Sequence, residues 1–316
     1  MTSPRPISIE TAGLSKAFGD HTVLDGIDLT VAAGTIFALL GPNGAGKTTT
    51  VNILSTLVHA DGGTARVAGH DIDRDGSAVR AAIGVTGQFS AIDGLLTGQE
   101  NLRLMADLHH LGRAEGRRQA DALLQRFDLQ DVAGKPAMTY SGGMKRKLDL
   151  AMTLMGAPEV IFLDEPTSGL DPRSRRGLWD IVRGLVADGV TIMLTTQYLD
   201  EADQLADRIA VLDNGRIVAE GTPAELKRRV PGGTIVLHLN DAAGLDAAAR
   251  AFPDGTGDND ALTLSLSAGG DIPAIRSVLD RLERSAVTAS HLEVTSPGLD
   301  DVFLALTGPD ARKVAL

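Results

Sequence analysis

The sequence predicts an α/β fold built on a buried parallel sheet, followed by a smaller α+β domain. Three observations carry that prediction. Short continuous apolar runs, "GTIFALL", "VIFL" (Val160–Leu163) and "TIML" (Thr191–Leu194), have the character of strands covered on both faces. A glycine-rich loop, "GPNGAGKTT", joins the first of these runs to "TVNILSTLV", which has helical character. After about Arg229 the composition shifts, and the strand and helix patterns become smaller.

In chain order, residues 7–40 read as short strands with turns, "ISIETAGLSKAF" and "HTVLDGIDLTV", before the first apolar run. From about Gly98 to Arg126 the pattern is helical. Thr97 and Glu100 make a T-x-x-E capping box, and Leu104, Leu108 and Leu111 fall on one face. Within that stretch Glu115-Gly116 reads as a helix interruption or surface turn. "RIAVLDNGRIVAE" reads as a hairpin whose Asn214-Gly215 pair suits a type I′ turn. A boundary near residue 230 divides a first domain, 1–229, from a second, 230–316, which reads β-α-β-α-β-α. In its last helix Leu299, Val302, Phe303 and Leu306 complete one apolar stripe.

Composition narrows the function classes. Of 316 residues, 43% are hydrophobic and 22% charged, ordinary values for a globular chain with a real core. No apolar run approaches the ~20 residues that span a bilayer. "MTSPRPISIE" lacks a signal-peptide layout, so the expected location is the cytoplasm. The absence of cysteine excludes disulfides, thiolate metal sites and cysteine nucleophiles. A net charge of −11 repels phosphodiester backbones and anionic lipid alike, so no nucleic acid partner is expected. Membrane attachment would then run through another protein.

Gly41-Pro42-Asn43-Gly44-Ala45-Gly46-Lys47-Thr48 satisfies G-x-x-x-x-G-K-[ST] between a buried strand and a helix. Glycines let backbone N–H groups and the helix N-terminus wrap a phosphate chain. Lys47 would neutralise the β- and γ-phosphates and the Thr48 hydroxyl would ligate Mg²⁺. Asp164 and Glu165 end the "VIFL" strand, where open α/β sheets place their ligands. Asp164 suits the outer shell of Mg²⁺, and Glu165 suits a base that polarises water. Ser141-Gly142-Gly143 opens another helix and makes a second anion-binding terminus. His109-His110 reads as a solvated face, since adjacent helical residues diverge by about 100°. "RSRRG" at 173–177 likewise reads as a solvated helix face.

With these motifs in this order, followed by Ser168-Gly169-Leu170-Asp171, residues 7 to about 225 resemble the nucleotide-binding domain of ABC transporters. The resemblance implies a P-loop NTPase core with an antiparallel β-subdomain and an α-helical subdomain at about residues 90–157. It implies ATP and Mg²⁺ as ligands, with Thr49 beside Thr48 in the phosphate loop. It implies that Phe18 stacks on adenine, and that Gln88 lies near Mg²⁺ as the Q-loop glutamine. Ser141 and Gly143 become the signature residues and Asp171 the D-loop aspartate. It further implies a head-to-tail homodimer in the ATP-bound state, the signature of one chain meeting the γ-phosphate held by the other. A separate integral membrane permease would complete the assembly, docked along Gln88 and "FSAIDGLLTGQENL", and hold the chain peripherally at the cytoplasmic face of the membrane.

"PGLDDVFLALTG" and "TTQYLDEADQLADRI" look like the daunorubicin/doxorubicin-resistance ATP-binding proteins, a subgroup that drives drug export. An exporter or importer of another substrate, or a soluble ABC ATPase outside transport, stays open as the alternative. Tyr140 and Met144 replace the usual signature Leu and Gln, and Asp301 stands where the subgroup often has Glu. Gln197 stands where the wider family usually has a histidine. Its amide can donate to a phosphate oxygen but carries neither proton nor charge, which leaves the role of base to Glu165.

Overall fold

The computed structural model describes residues 5–87, 91–229, 233–267, 272–285, 287–295 and 298–307. The chain divides into two compact units, Met1–Pro223 and Ala224–Leu316.

The first unit opens with a long hairpin, β1 (Ile7–Phe18) and β2 (His21–Ala32). These are the stretches "ISIETAGLSKAF" and "HTVLDGIDLTV" that read as strands in the sequence, although Gly13 and Gly26 fall within them. Both are accommodated within 12-residue strands, at φ 60° and 70°, beside shifts in the β1/β2 register. Then follow β3 (Ile36–Leu40), α1 (Lys47–Leu54), β4 (Gly62–Val67), β5 (His70–Asp71), α2 (Gly76–Ala82) and β6 (Ile83–Thr86). Strands β2-β1-β4-β5 form an antiparallel sheet.

Three helices come next, α3 (Gly98–Leu108), α4 (Arg113–Arg126) and α5 (Gly142–Thr153). The capping box of α3 is formed: the Glu100 N–H donates to Thr97 Oγ1 at 3.2 Å, and the Thr97 N–H donates to Glu100 Oε2 at 2.8 Å. Two expectations fail in this region. Leu104 and Leu108 are 43% and 64% exposed, whereas Leu102 and Ala106 are buried. The buried face of α3 includes a polar residue, Asn101, whose amide is fully used by Asp93 O, Thr97 O and the Asp93 N–H. Hydrophobic periodicity therefore selects the wrong stripe. Gly116 is no interruption either, since it lies buried inside α4. A Cβ there would stand 2.7 Å from Ala106 Cβ, so the glycine lets α3 and α4 pack closely. The chain breaks earlier, at 109–112, where His110 takes φ 55°.

The unit closes with β7 (Val160–Asp164), α6 (Pro172–Ala187), β8 (Thr191–Thr196), α7 (Leu199–Leu205), β9 (Arg208–Asp213) and β10 (Arg216–Gly221). The second sheet has the order β10-β9-β3-β8-β7-β6, parallel except for the β9/β10 hairpin. Asn214 and Gly215 make its turn at φ 47° and 76°, both positive as a type I′ turn requires. Every residue of β3, β7 and β8 is buried, which is why they read as unbroken apolar runs. Phe37, Phe162 and Met193 join Ile53 and Leu54 of α1 in the core. Each such side chain contributes about 1.5–3 kcal/mol on burial. Among the described residues no helix is long and apolar enough to cross a membrane.

Where the units divide, α8 spans Pro223–Lys227. The second unit contains β11 (Thr234–Leu239), α9 (Ala242–Ala251), β12 (Thr256–Asp258), β13 (Thr263–Ser267), α10 (Ile272–Ser285), β14 (Ala289–Thr295) and α11 (Leu299–Thr307). Its antiparallel sheet runs β12-β13-β11-β14. Strand β11 alternates half-buried and buried residues, and Leu237 packs with Leu245, Phe252, Leu264 and Leu282 in a separate core.

Candidate active site

Sheet register brings the motifs together. Leu40 pairs with Thr196, and Asp164 with Thr195, so three adjacent strands end at one level. The loop after β3 turns there into α1. Gly46, the N-cap, takes φ 110° with no side-chain cap, and no acid occupies the first turn of α1. The helix therefore offers its unsatisfied N–H groups and positive end to an anion. A Cβ on Gly46 would lie 2.6 Å from Leu24 Cδ2, and one on Gly41 2.3 Å from Leu212 O, so both positions exclude a side chain.

Lys47 is buried. Its Nζ donates to Gly41 O at 2.7 Å and Pro42 O at 3.0 Å, which leaves one of three donors for a phosphate oxygen. Burial lowers its pKa, while Glu165 and Asp164 pull the other way. Glu165 Oε1 lies 4.0 Å from Lys47 Nζ. Asp164 accepts from the Thr48 hydroxyl at 2.9 Å on Oδ2 and from the Thr195 hydroxyl on Oδ1. Glu165 takes φ 48°, in the left-handed region unusual for a side-chain-bearing residue. Its N–H donates to Thr195 O at 3.1 Å.

A cleft of about 620 Å³ is lined by Asn43, Gly44, Gly46, Lys47, Thr48 and Thr49, with Asp164 and Glu165 facing them. Phe18 at the end of β1 and Gln197 just beyond β8 line the same cleft. Phe18 is 53% exposed, with Lys16 Nζ 5.2 Å from its ring centroid. Gln197 is exposed, and its amide makes no hydrogen bond among the described residues. Pro42 and Ala45 complete the loop, where the Ala45 N–H donates to Pro42 O at 3.3 Å. Gln88 lies outside the described residues.

Ser141, Gly142 and Gly143 do not join this cleft. Ser141 caps α5, accepting from the Met144 N–H at 3.3 Å, and with Gly143 it lines a separate concavity of about 700 Å³ beside Arg173 and Ser174. Asp171 caps α6, accepting from the Arg173 and Ser174 N–H groups at 3.0 Å. Ser174, through its hydroxyl and its N–H, holds that carboxyl below its ordinary range. Arg175 departs from the solvated-face reading of 173–177. It pairs with Asp200 at 3.0 Å and stands 5.0 Å over the Tyr198 ring.

Several residues escape the sequence reading. Thr195 bridges Asp164 and the Glu165 N–H, and its signal was a pair of threonines ending a buried strand next to one that ends in Asp. Arg146 of α5 reaches the Asp164 and Pro166 carbonyls and pairs with Asp149 of the same helix, and only their i, i+3 spacing hinted at a pair. Glu201 is fully buried under Trp179, whose Nε1–H donates to Oε1 at 3.2 Å.

A glycine-lined helix terminus, a buried lysine, and a hydroxyl and two carboxylates converging on it define a nucleotide hydrolase of the P-loop class. Residues 24–168 match the family model described as ABC transporter. The daunorubicin resistance ATP-binding protein DrrA3 of Streptomyces coeruleorubidus is 50% identical over 307 residues, covering 96% of this chain and 97% of that one. The daunorubicin/doxorubicin resistance ATP-binding protein DrrA of Streptomyces peucetius is 47% identical over 314 residues, covering 96% and 93%. A solved ATP-binding subunit of an ABC transporter superposes with a TM-score of 0.63 at 30% identity, over 70% of this chain and 92% of the other. The chain belongs to the ABC transporter family, as one of its ATP-binding, ATP-hydrolysing proteins.

Proposed function

We propose that this chain powers the export of a hydrophobic drug or antibiotic through a separate membrane permease. The observation that carries the ATPase half is the convergence of Lys47, Thr48, Asp164 and Glu165 at one strand level. The export half rests on the relatives named for daunorubicin and doxorubicin resistance, which align along nearly the whole chain, second unit included.

In this reading the triphosphate lies against residues 41–49, its γ-phosphate at the N-terminus of α1 and the free Lys47 donor on a phosphate oxygen. Phe18 stacks on the base. Thr48 and Asp164 supply a hydroxyl and a carboxylate 2.9 Å apart, hard oxygen donors that suit Mg²⁺. That ion would offset the phosphate charge. Glu165 accepts a proton from the attacking water as its oxygen bonds to the γ-phosphorus. The bond to the β–γ bridging oxygen breaks, and ADP leaves. Gln197 donates its amide N–H to a γ-phosphate oxygen and carries no proton.

Ser141 and Gly143 line a different concavity from the one holding Lys47, so one copy leaves the second anion terminus unused. Pairing two copies head to tail gives each terminus a phosphate, which supports an ATP-bound homodimer. The exposed Leu95, at 80%, lies in the stretch expected to dock the permease at the cytoplasmic face of the membrane.

The test is export from cells or vesicles that carry this chain together with a membrane permease subunit. Doxorubicin accumulation should fall when both are present and return with Lys47→Ala. Accumulation indifferent to Lys47→Ala would refute the coupling.

A further inference from the structure

We propose that Arg146 is a positioning residue that holds Glu165 in its left-handed conformation and ties it to α5. Residues at φ 48° other than glycine persist where their surroundings fix them. The surroundings here are specific. Arg146 Nε donates to Pro166 O at 2.8 Å and Nη2 donates to Asp164 O at 3.1 Å. These are the carbonyls on either side of Glu165, so one planar guanidinium straddles the residue.

The other side of the fork is anchored as firmly. Nη1 donates to Gly87 O at 3.0 Å and to Asp149 Oδ2 at 3.4 Å, while Asp149 Oδ1 accepts from the Ala91 N–H at 3.2 Å. Arg146 and Asp149 are 13% and 5% exposed in their side chains. The pair thus binds the backbone at 87 and 91 and the backbone around Glu165 to one helix, the helix that Ser141 caps. A shift of α5 is transmitted to the backbone on either side of Glu165 by two hydrogen bonds from a single side chain.

The inference rests on Glu165 being the base proposed above, and the tests separate the two. Arg146→Lys keeps the charge beside Asp149, but one ammonium cannot straddle two carbonyls and also reach Gly87. For the full-length chain, ATP titrated without Mg²⁺ should bind within about twofold of wild type. Turnover of Mg-ATP should fall by about tenfold to a hundredfold, as misplacing a catalytic group by about 1 Å does. A purely structural arginine would lower the melting point and leave kcat per folded molecule unchanged, which would overturn the proposal.

The second test needs no turnover. Glu165→Gly removes the need to hold a side-chain-bearing residue at positive φ. The loss in urea midpoint caused by Arg146→Lys should then be clearly smaller in the Glu165→Gly background than in wild type. Equal losses in the two backgrounds would sink the coupling. If wild type itself fails to hydrolyse Mg-ATP, the proposed role of Glu165 falls, and this cycle alone still decides what Arg146 does.

Discussion

Replacing Gln197 with alanine isolates what an uncharged residue does at this position. The substitution is clean, because the exposed amide makes no hydrogen bond among the described residues and its loss leaves no buried group unpaired. The local backbone is fixed independently, with the Tyr198 N–H donating to Thr196 Oγ1 at 2.9 Å. Stability should therefore change by no more than about 0.5 kcal/mol. A hydrogen bond to a charged phosphate is worth about 1.5–3 kcal/mol, and an exposed cleft favours the lower end. At about 1.4 kcal/mol per decade, Gln197→Ala should cut kcat about tenfold. Loss of a base costs about 10²–10⁴-fold. Steady-state release of phosphate from Mg-ATP separates these cases. Gln197→His adds a second check: an imidazole titrating near pH ~6.5 should introduce an inflection that the amide cannot produce. A Gln197→Ala rate within twofold of wild type, or a loss above a hundredfold, would refute the reasoning.

Other substitutions follow from the same geometry. Burial raises the pKa of Glu201 above its ordinary 4.5, against the opposing pull of the Trp179 hydrogen bond and the charge of Arg175. The folded state therefore keeps a proton that the unfolded state releases, and stability falls as pH rises from 4.5 through the raised value. Glu201→Gln should flatten that slope in urea midpoints taken across the acid range; an unchanged slope would contradict it. Gly46→Ala forces a side chain to φ 110° and against Leu24. It should cost about 1–3 kcal/mol of stability and abolish measurable ATP binding in calorimetry. A variant that binds ATP normally would show that the loop tolerates a side chain.

What the sequence disclosed and what it withheld divide along a physical line. The phosphate loop was legible because backbone wrapping demands glycine at fixed spacing, and Gly46 indeed takes φ 110°. The Thr97–Glu100 box and the Asn214-Gly215 turn were legible because both are local. The Thr195 bridge and the Arg146 fork depend on strand register and on α5 lying against the end of β7, contacts that no short window contains. The leucine stripe of α3 misled because a fully hydrogen-bonded Asn101 occupies the buried face in place of an apolar residue. Glu115-Gly116 misled because a glycine chosen for close helix packing looks like a break in a helix. Strand β12 was missed because all three of its residues are exposed and show no alternation.

The most direct measurement is single-turnover hydrolysis of Mg-ATP by the full-length chain and by Glu165→Gln, with bound nucleotide quantified in parallel. Equal nucleotide occupancy, with cleavage slowed at least a hundredfold by the amide, is the expected result. Cleavage at the wild-type rate in Glu165→Gln would remove Glu165 as the base and with it the assignment of this cleft as the place where ATP is broken.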